Sequence, residues 1–228
     1  MNELQLKMRK VSPKESVSFR CVGCGECCKN IYQQVPLEAL DIYRMANYLK
    51  AKGENISCVD DFLEQYADSA LLDSCGYIVY FLKTKGENNV CIFLEDNHCR
   101  IHAANPRACR TYPFIAKPLG NGKYEYLLSY ERTHHFKGQK IHPKTWMKIR
   151  FTQADMDFLN LDFGAAKEIA RLLRSIPKKE LAYALMLFQM YKYSDYDLDK
   201  PFQTQFVKNH AKLMQALRML ANNKKSQT

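Results

Sequence analysis

The feature that most constrains this chain is the stretch CVGCGECC, residues 21–28, which places four cysteines within eight residues. The spacing C-x2-C-x2-C lets a short loop direct two or three sulfurs at one centre, as in the cluster loops of bacterial ferredoxins. Gly23 and Gly25 permit the positive φ angles that such a close turn needs. Because Cys27 and Cys28 are adjacent, their side chains point in different directions. Either one of them packs, or the centre is multinuclear.

A second cysteine group follows more than sixty residues later, in VCIFLEDNHCRIHAANPRACRTYPF, and consists of Cys91, Cys99 and Cys109. Zinc sites usually pair two short C-x2–4-C hooks, and this group supplies none. We therefore expect the two groups to converge on one site. Seven thiols exceed the four that a tetrahedral zinc ion uses, which favours an iron–sulfur cluster and leaves zinc as the alternative.

The two remaining cysteines, Cys58 and Cys75, stand apart from both groups. An isolated free cysteine commonly behaves as a small buried apolar residue. We expect both to belong to the core.

The chain begins with a charged stretch that has no signal-peptide pattern, and its longest unbroken apolar run, LAYALMLF, is too short to span a bilayer. These features predict a cytoplasmic protein with no transmembrane segment. In a reducing compartment, clustered cysteines are more often metal ligands or redox centres than disulfides.

The net charge of +10 is compatible with an acidic protein partner, although the sequence does not identify one. The basic residues are dispersed, with their densest groups at 137–148 and 224–225. No run interleaves arginine with aromatic residues in an RNA-binding pattern, so nucleic acid is not a favoured partner.

The hydrophobic pattern predicts an α+β protein, with a small cysteine-rich metal-binding head at 1–148 and an all-helical extension at 149–228 packed on it. Residues 1–18 form a polar lead. In the head we expect helices at 35–53 and 57–67, strands at 76–84, 89–94 and 123–133, and a hairpin turn at KGENN. In the extension we expect helices at 152–163, 164–176, 177–193 and 202–223, with an N-terminal cap at Thr152–Asp155.

The motif CVGCGECC, then C-IFL, C-RIH and P-RACRTYPF, resembles the YkgJ-type cysteine-cluster family of zinc- or iron-chelating domains over residues 21–115. The family usually has arginine before the proline of its third element, whereas Asn105 precedes Pro106 here. What the resemblance implies is metal or iron–sulfur binding by seven cysteines. They are Cys21, Cys24, Cys27, Cys28, Cys91, Cys99 and Cys109.

The same family includes the flagellin lysine N-methylases, so the resemblance leaves enzymatic activity open. The chain lacks the glycine-rich loop of a Rossmann-type S-adenosylmethionine domain. It also lacks the CxxxCxxC spacing of radical S-adenosylmethionine enzymes. We rank a metal-binding module first, an interaction module held by a structural zinc second, and a protein lysine N-methylase third.

Several other residues near the motif have candidate roles. His102 suits packing in or behind the site better than metal ligation, although imidazole is a ligand of both zinc and iron. His134 and His135 could approach the metal, although no spacing requires it. A cation at Arg110, directly after Cys109, would lower the pKa of nearby thiols.

Overall fold

The computed structural model describes residues 7–72, 74–120 and 122–222, which form an α+β fold as the sequence predicts. The described α-helices are α1 (Ala39–Ala51), α2 (Val59–Tyr66), α3 (Arg107–Thr111), α4 (Pro143–Arg150), α5 (Gln153–Ser175), α6 (Lys178–Gln189) and α7 (Phe202–Asn222). The described strands are β1 (Met8–Val11), β2 (Val17–Ser18), β3 (Pro36–Leu37), β4 (Ala67–Leu71), β5 (Ile78–Leu82), β6 (Thr84–Lys85), β7 (Val90–Cys91), β8 (Leu94–Glu95), β9 (His98–Cys99), β10 (Phe114–Gly120), β11 (Lys123–Ser129) and β12 (Lys140–Ile141).

Small antiparallel sheets make up the strand content of the described residues. One sheet has the order β1-β11-β10 and a second has the order β3-β5-β4. Three further ladders pair β2 with β12, β6 with β7 and β8 with β9. The strand β1 lies within the stretch predicted to be a polar lead. Backbone hydrogen bonds to β11, with Met8 opposite Ser129, place it in the sheet although only Val11 of its four residues is buried.

Two short hairpins carry cysteines of the second group. The predicted turn at KGENN is confirmed, because Lys85 pairs with Val90 and Thr84 with Cys91 across it. The next hairpin, β8–β9, turns at Asp96 and Asn97, whose φ angles are 46° and 62°. Asp and Asn tolerate this left-handed conformation better than other non-glycine residues, which explains their place at the turn.

The helix α2 begins directly after Cys58, which caps it. The Cys58 backbone N–H donates to Asp61 Oδ2 at 3.0 Å, and the Cys58 side chain is exposed. The prediction that Cys58 is a core residue is therefore wrong, because an N-terminal cap lies at the surface end of the helix. Cys75 is buried in the core, as expected.

The helix α5 is one continuous element where the sequence predicts two helices that meet at Gly164. A glycine inside a helix costs about 1 kcal/mol relative to alanine. Burial of Phe158 on one side and Leu172 on the other keeps the helix continuous. The predicted cap is confirmed, since Thr152 and Asp155 form a reciprocal capping box. The predicted end of the last helix at residue 223, and the basic pair 224–225, lie outside the described residues.

Two apolar cores hold the described residues together. The larger core combines side chains from 31–101, such as Ile42 and Phe93, with side chains from 158–217, such as Phe158 and Phe206. The smaller core lies among β1, β2, β10, β11, β12 and α4. The division of the chain at residue 148 stays a prediction. Among the described helices, none is long and apolar enough to cross a membrane.

Candidate metal centre

The loop that carries the first cysteine group uses both of its glycines as predicted. Gly23 and Gly25 have φ angles of 65° and 70°. A Cβ atom on Gly25 would lie 3.1 Å from Leu94 Cδ1 and 3.2 Å from Asn97 Cα, whereas one on Gly23 would meet nothing within 4 Å. The absent side chain of Gly25 therefore lets this loop lie directly on the β8–β9 hairpin, which carries Cys99.

The chain after Cys28 is held against the other hairpin. The backbone N–H groups of Asn30 and Ile31 donate to the carbonyls of Asn88 and Asn89, at 2.9 and 3.1 Å, in the turn between β6 and β7. Cys91 ends that hairpin. The two hairpins thus fix the short 3-10 turn Glu26–Cys28 from both sides.

The third cysteine of the second group, Cys109, lies in the short helix α3. The backbone N–H of Arg107 donates to Asp41 Oδ1 at 2.9 Å, and the Arg107 side chain donates to Glu38. The guanidinium of Arg110 donates to Asp155 Oδ1 at 3.0 Å and lies 3.6 Å from Asp41 Oδ1. The Arg110 charge is thus directed at carboxylates of α1 and α5.

Five thiols from both cysteine groups interact electrostatically, and we call them the five-thiol set: Cys27, Cys28, Cys91, Cys99 and Cys109. The sulfurs of Cys27 and Cys28 are 3.9 Å apart, and a hydrogen bond from Cys28 lowers the pKa of Cys27 to about 7. Burial raises the pKa of Cys91 to about 11. Burial also raises the pKa of Cys109, and the charges of Cys91, Cys27 and Cys99 raise it further. Burial and the charges of neighbouring thiols therefore oppose ionisation of Cys91 and Cys109, and a bound cation would offset both effects.

A second group of metal-binding side chains, the Cys–His trio, consists of Cys24, His134 and His135. The Cys24 sulfur is 3.3 Å from His134 Nε2 and 3.2 Å from His135 Nε2. Within the described residues, this is the one set of three or more cysteine, histidine, aspartate or glutamate side chains whose ligand atoms all lie within 4.8 Å of one another.

Backbone pairing explains how residues 110 positions apart meet at the trio. The strands β2 and β12 pair antiparallel, and the ladder continues where the Phe19 N–H donates to the Gln139 carbonyl at 3.0 Å. The Arg20 N–H then donates to the His135 carbonyl at 2.9 Å. This side-by-side course brings the start of the cysteine loop to the histidine pair.

His135 is the more enclosed of the two histidines, with 2% of its surface exposed. Its Nδ1 is 3.1 Å from the Tyr112 hydroxyl, and the Phe19 ring meets it edge-on. Burial lowers its pKa, and the nearby charges of His134 and Arg132 lower it further. The neutral imidazole that results is the form that binds metal.

The remaining predicted residues lie outside these two groups. Cys21 is exposed and belongs to neither. His102 is also exposed, so the prediction that it packs in or behind the site is wrong; it begins a 3-10 turn at the surface. The sequence left the histidine pair without a required role. The two-residue strands that bring it to Cys24 are too short to give a readable pattern.

All nine cysteines lie in the described part of the chain, and no disulfide joins any two of them. Sulfur and imidazole nitrogen donors, drawn together in this way, suit zinc and iron. Fold and site together therefore define a metal-chelating protein with a cysteine-rich head.

A family model described as "CxxCxxCC: Putative zinc- or iron-chelating domain" matches residues 20–145. The match covers more than half of the chain, and the chain belongs to this family. A comparison with curated proteins gives no match, and a comparison with solved structures gives none either.

Proposed function

We propose that the protein holds an iron–sulfur cluster on thiolates from both cysteine groups. The observation that carries this proposal is the five-thiol set, in which sulfur is the only donor. Cysteine thiolates are the usual ligands of such clusters. A cluster needs four thiolates, and the set offers five. The number fits if only one of the adjacent residues Cys27 and Cys28 is a ligand.

The spacing of these thiols also supports a centre larger than one ion. A tetrahedral zinc ion with bonds of about 2.3 Å holds its sulfurs about 3.8 Å apart. Among the described residues, no three sulfurs of the five-thiol set all lie within 4.8 Å of one another. A cluster of several irons bridged by sulfide spans a wider set of ligands than a single ion does.

When bound, an iron–sulfur cluster supplies one-electron redox chemistry. The chain's own contribution is burial of Cys91 and Cys109 and the positive charges of Lys85 and Arg132. Lys85 acts on Cys91. Arg132 acts on Cys27, and its guanidinium donates to the Lys29 carbonyl at 2.9 Å. Cys21 stays a predicted ligand, at the exposed start of the loop.

Zinc is the second candidate for the five-thiol set, and the sulfurs of Cys27 and Cys28 favour it. Their separation of 3.9 Å is close to the value of about 3.8 Å that a tetrahedral zinc ion imposes. On this alternative the zinc is structural, and the head serves as an interaction module. The lysine N-methylase alternative rests on the family resemblance alone.

The test is anaerobic purification from iron-replete cells, followed by iron, zinc and acid-labile sulfide analysis and a visible absorption spectrum. We expect a brown protein with sulfide and broad sulfur-to-iron absorption. Cys109→Ser and Cys28→Ser would each reduce or reshape that absorption. Cys58, the exposed residue that caps α2, provides a matched control, and Cys58→Ser would leave the spectrum unchanged.

A different result would overturn the proposal. If the protein stays colourless, holds stoichiometric zinc and lacks sulfide even after reconstitution with iron and sulfide, the iron–sulfur assignment is wrong. Full metal content and an unchanged spectrum in Cys109→Ser would instead show that the two cysteine groups do not share a centre.

A further inference from the structure

We infer that the Cys–His trio binds a divalent metal ion of its own, separate from the five-thiol set, and leaves one coordination position for a small anion. The inference goes beyond the proposed function and does not depend on which metal the five-thiol set holds. It rests on the distances, the donor count, the access to solvent and the charge at the trio.

The distances fit a tetrahedral ion. With metal–sulfur bonds of about 2.3 Å and metal–nitrogen bonds of about 2.0 Å, a tetrahedral zinc places sulfur and nitrogen about 3.5 Å apart. The Cys24 sulfur is 3.2 and 3.3 Å from the two Nε2 atoms, so an ion needs the ligands to separate by only a few tenths of an ångström. The long imidazole side chains let the adjacent residues His134 and His135 reach one point.

The trio supplies three ligands, one fewer than a closed zinc site needs. Within the described residues, no fourth cysteine, histidine, aspartate or glutamate ligand atom joins the three within 4.8 Å. Zinc sites with three protein ligands take their fourth ligand from outside, whereas structural sites are closed by four. Because His134 is exposed while His135 is buried, the open position faces solvent on the His134 side.

The charge at the trio favours an anion as the outside ligand. One thiolate and two neutral imidazoles leave a divalent ion with a net charge of +1. Arg132 adds a positive charge that acts on both His135 and Cys27. Glu26 is a carboxylate whose charge acts on His135, and Lys29 pairs with it at 2.7 Å. Glu131 acts on the neighbouring Tyr112.

Neighbouring groups fix the position of His135 before a metal binds. The Tyr112 hydroxyl binds Nδ1 of His135, and the Arg20 N–H binds its carbonyl. When Nε2 binds a metal, Nδ1 carries the proton and donates to the Tyr112 oxygen. Partners of this kind fix the tautomer and the ring orientation of metal-binding histidines.

The experiment measures metal stoichiometry in the full-length protein by anaerobic equilibrium dialysis against Zn²⁺. Cys24→Ser, His134→Ala and His135→Ala are each expected to lose one equivalent of zinc and to keep the iron and sulfide content of the parent. His134 is exposed, so its variant should fold normally even if the His135 variant does not. His102→Ala, which removes another exposed histidine, is the matched control and should keep the full zinc content. Unchanged zinc content in His134→Ala and Cys24→Ser would overturn the inference.

The open position is tested with Co²⁺ in place of Zn²⁺ and azide as the anion. We expect azide to shift the visible bands of cobalt in the parent protein and in Cys109→Ser, and not in His134→Ala. No shift in the parent would show that the trio is closed and would overturn the open position. If the parent protein lacks sulfide but responds to azide, only the proposed iron–sulfur function is refuted. If it contains sulfide but does not respond to azide, only the inference about the trio is refuted.

Discussion

At the scale of single residues, glycine is required at positions 23 and 25 for different reasons, although both residues have positive φ. Gly23 needs only the backbone freedom of glycine, because nothing lies near its missing side chain. Gly25 also needs the space, because Leu94 and Asn97 of the β8–β9 hairpin lie against it. The contact at Gly25 therefore determines how close the first cysteine group comes to Cys99.

The first prediction compares Gly25→Ala with Gly23→Ala. Each variant forces alanine into a left-handed conformation at a cost of roughly 1–2 kcal/mol. Gly25→Ala adds an overpacking cost of about 1–3 kcal/mol and moves the loop off the hairpin. We expect it to lose more metal, measured by elemental analysis, and more stability, measured by urea denaturation. Equal losses in the two variants would contradict the close contact.

The second prediction concerns Tyr112, which touches His135 without being a ligand. Tyr112→Phe removes one hydroxyl and leaves the ring contact with Phe19. Loss of such a partner typically weakens metal affinity 10- to 100-fold, so we expect zinc at the trio to bind roughly tenfold more weakly. Competition with a chromophoric chelator measures the change. Tyr126 belongs to the same core, and Tyr126→Phe should bind zinc as tightly as the parent does. Equal zinc affinities in the parent, Tyr112→Phe and Tyr126→Phe would count against the role of Tyr112.

At the scale of elements, the short helix α3 is positioned by charged residues of two longer helices. Five residues are too few for a helix to be stable alone. Asp41 of α1 accepts its first N–H, and Asp155 of α5 accepts hydrogen bonds from both Arg110 and Arg44. The position of Cys109 therefore depends on helices that lie far from it in the sequence.

The third prediction is that Asp155→Asn destabilises the fold by about 2–4 kcal/mol near pH 7, because it leaves two arginines without their shared carboxylate. Burial alone would raise the pKa of Asp155, but hydrogen bonds from Thr152 and the charges of Arg110 and Arg44 hold it below its ordinary value of 3.8. A depressed pKa gives stability that is fully present above that value and is lost as the pH falls through the folded pKa.

The measurement is urea denaturation of the parent and of Asp155→Asn as a function of pH. The difference between them should be full above about pH 5 and should shrink below about pH 4. Asp157→Asn, an exposed neighbour on the same helix, should have little effect at any pH. A constant difference down to pH 3 would show that the Asp155 carboxylate does not act through its charge.

At the scale of the whole molecule, the described helices after residue 150 share one core with the cysteine-rich half. The Tyr80 ring packs on Tyr193 with centroids 4.9 Å apart, and Tyr43 packs on Phe202 at 5.3 Å. The hydroxyl of Tyr193 donates to the Ile78 carbonyl. These contacts support the predicted packing of the extension on the head.

The fourth prediction is that a fragment ending at residue 148 does not keep the fold of the parent. Removal of the later residues would expose the rings of Tyr43, Tyr77 and Tyr80, which now pack on Phe202, Phe188 and Tyr193. We expect aggregation, measured by sedimentation, and loss of the cooperative melting transition, measured by circular dichroism. A fragment ending at Asn222 keeps every described helix and serves as the control. A soluble, monomeric 148-residue fragment with the parent's melting temperature would contradict the shared core.

Local patterns in the sequence were enough for the helices α1, α2, α6 and α7, the hairpin at KGENN and the α5 cap, because each depends on neighbours a few positions away. The same reasoning divided α5 at Gly164, since a local rule does not include the packing that offsets one glycine. It also missed strands such as β1, β4 and β10 and the helices α3 and α4, which form where other parts of the chain bind their backbone or cover their apolar side chains.

The sequence by itself determined the kind of donor: seven cysteines in a specific motif indicate a thiolate metal centre, because no other local property explains so dense a pattern. Only the tertiary structure decided which donors meet. Cys24 meets the histidine pair because the start of the loop at 21–28 lies beside the 134–141 segment, whereas the end of that loop lies on the two hairpins that carry Cys91 and Cys99. Contacts of this kind depend on pairings of distant backbone segments, and those are fixed by the common core rather than by any local pattern.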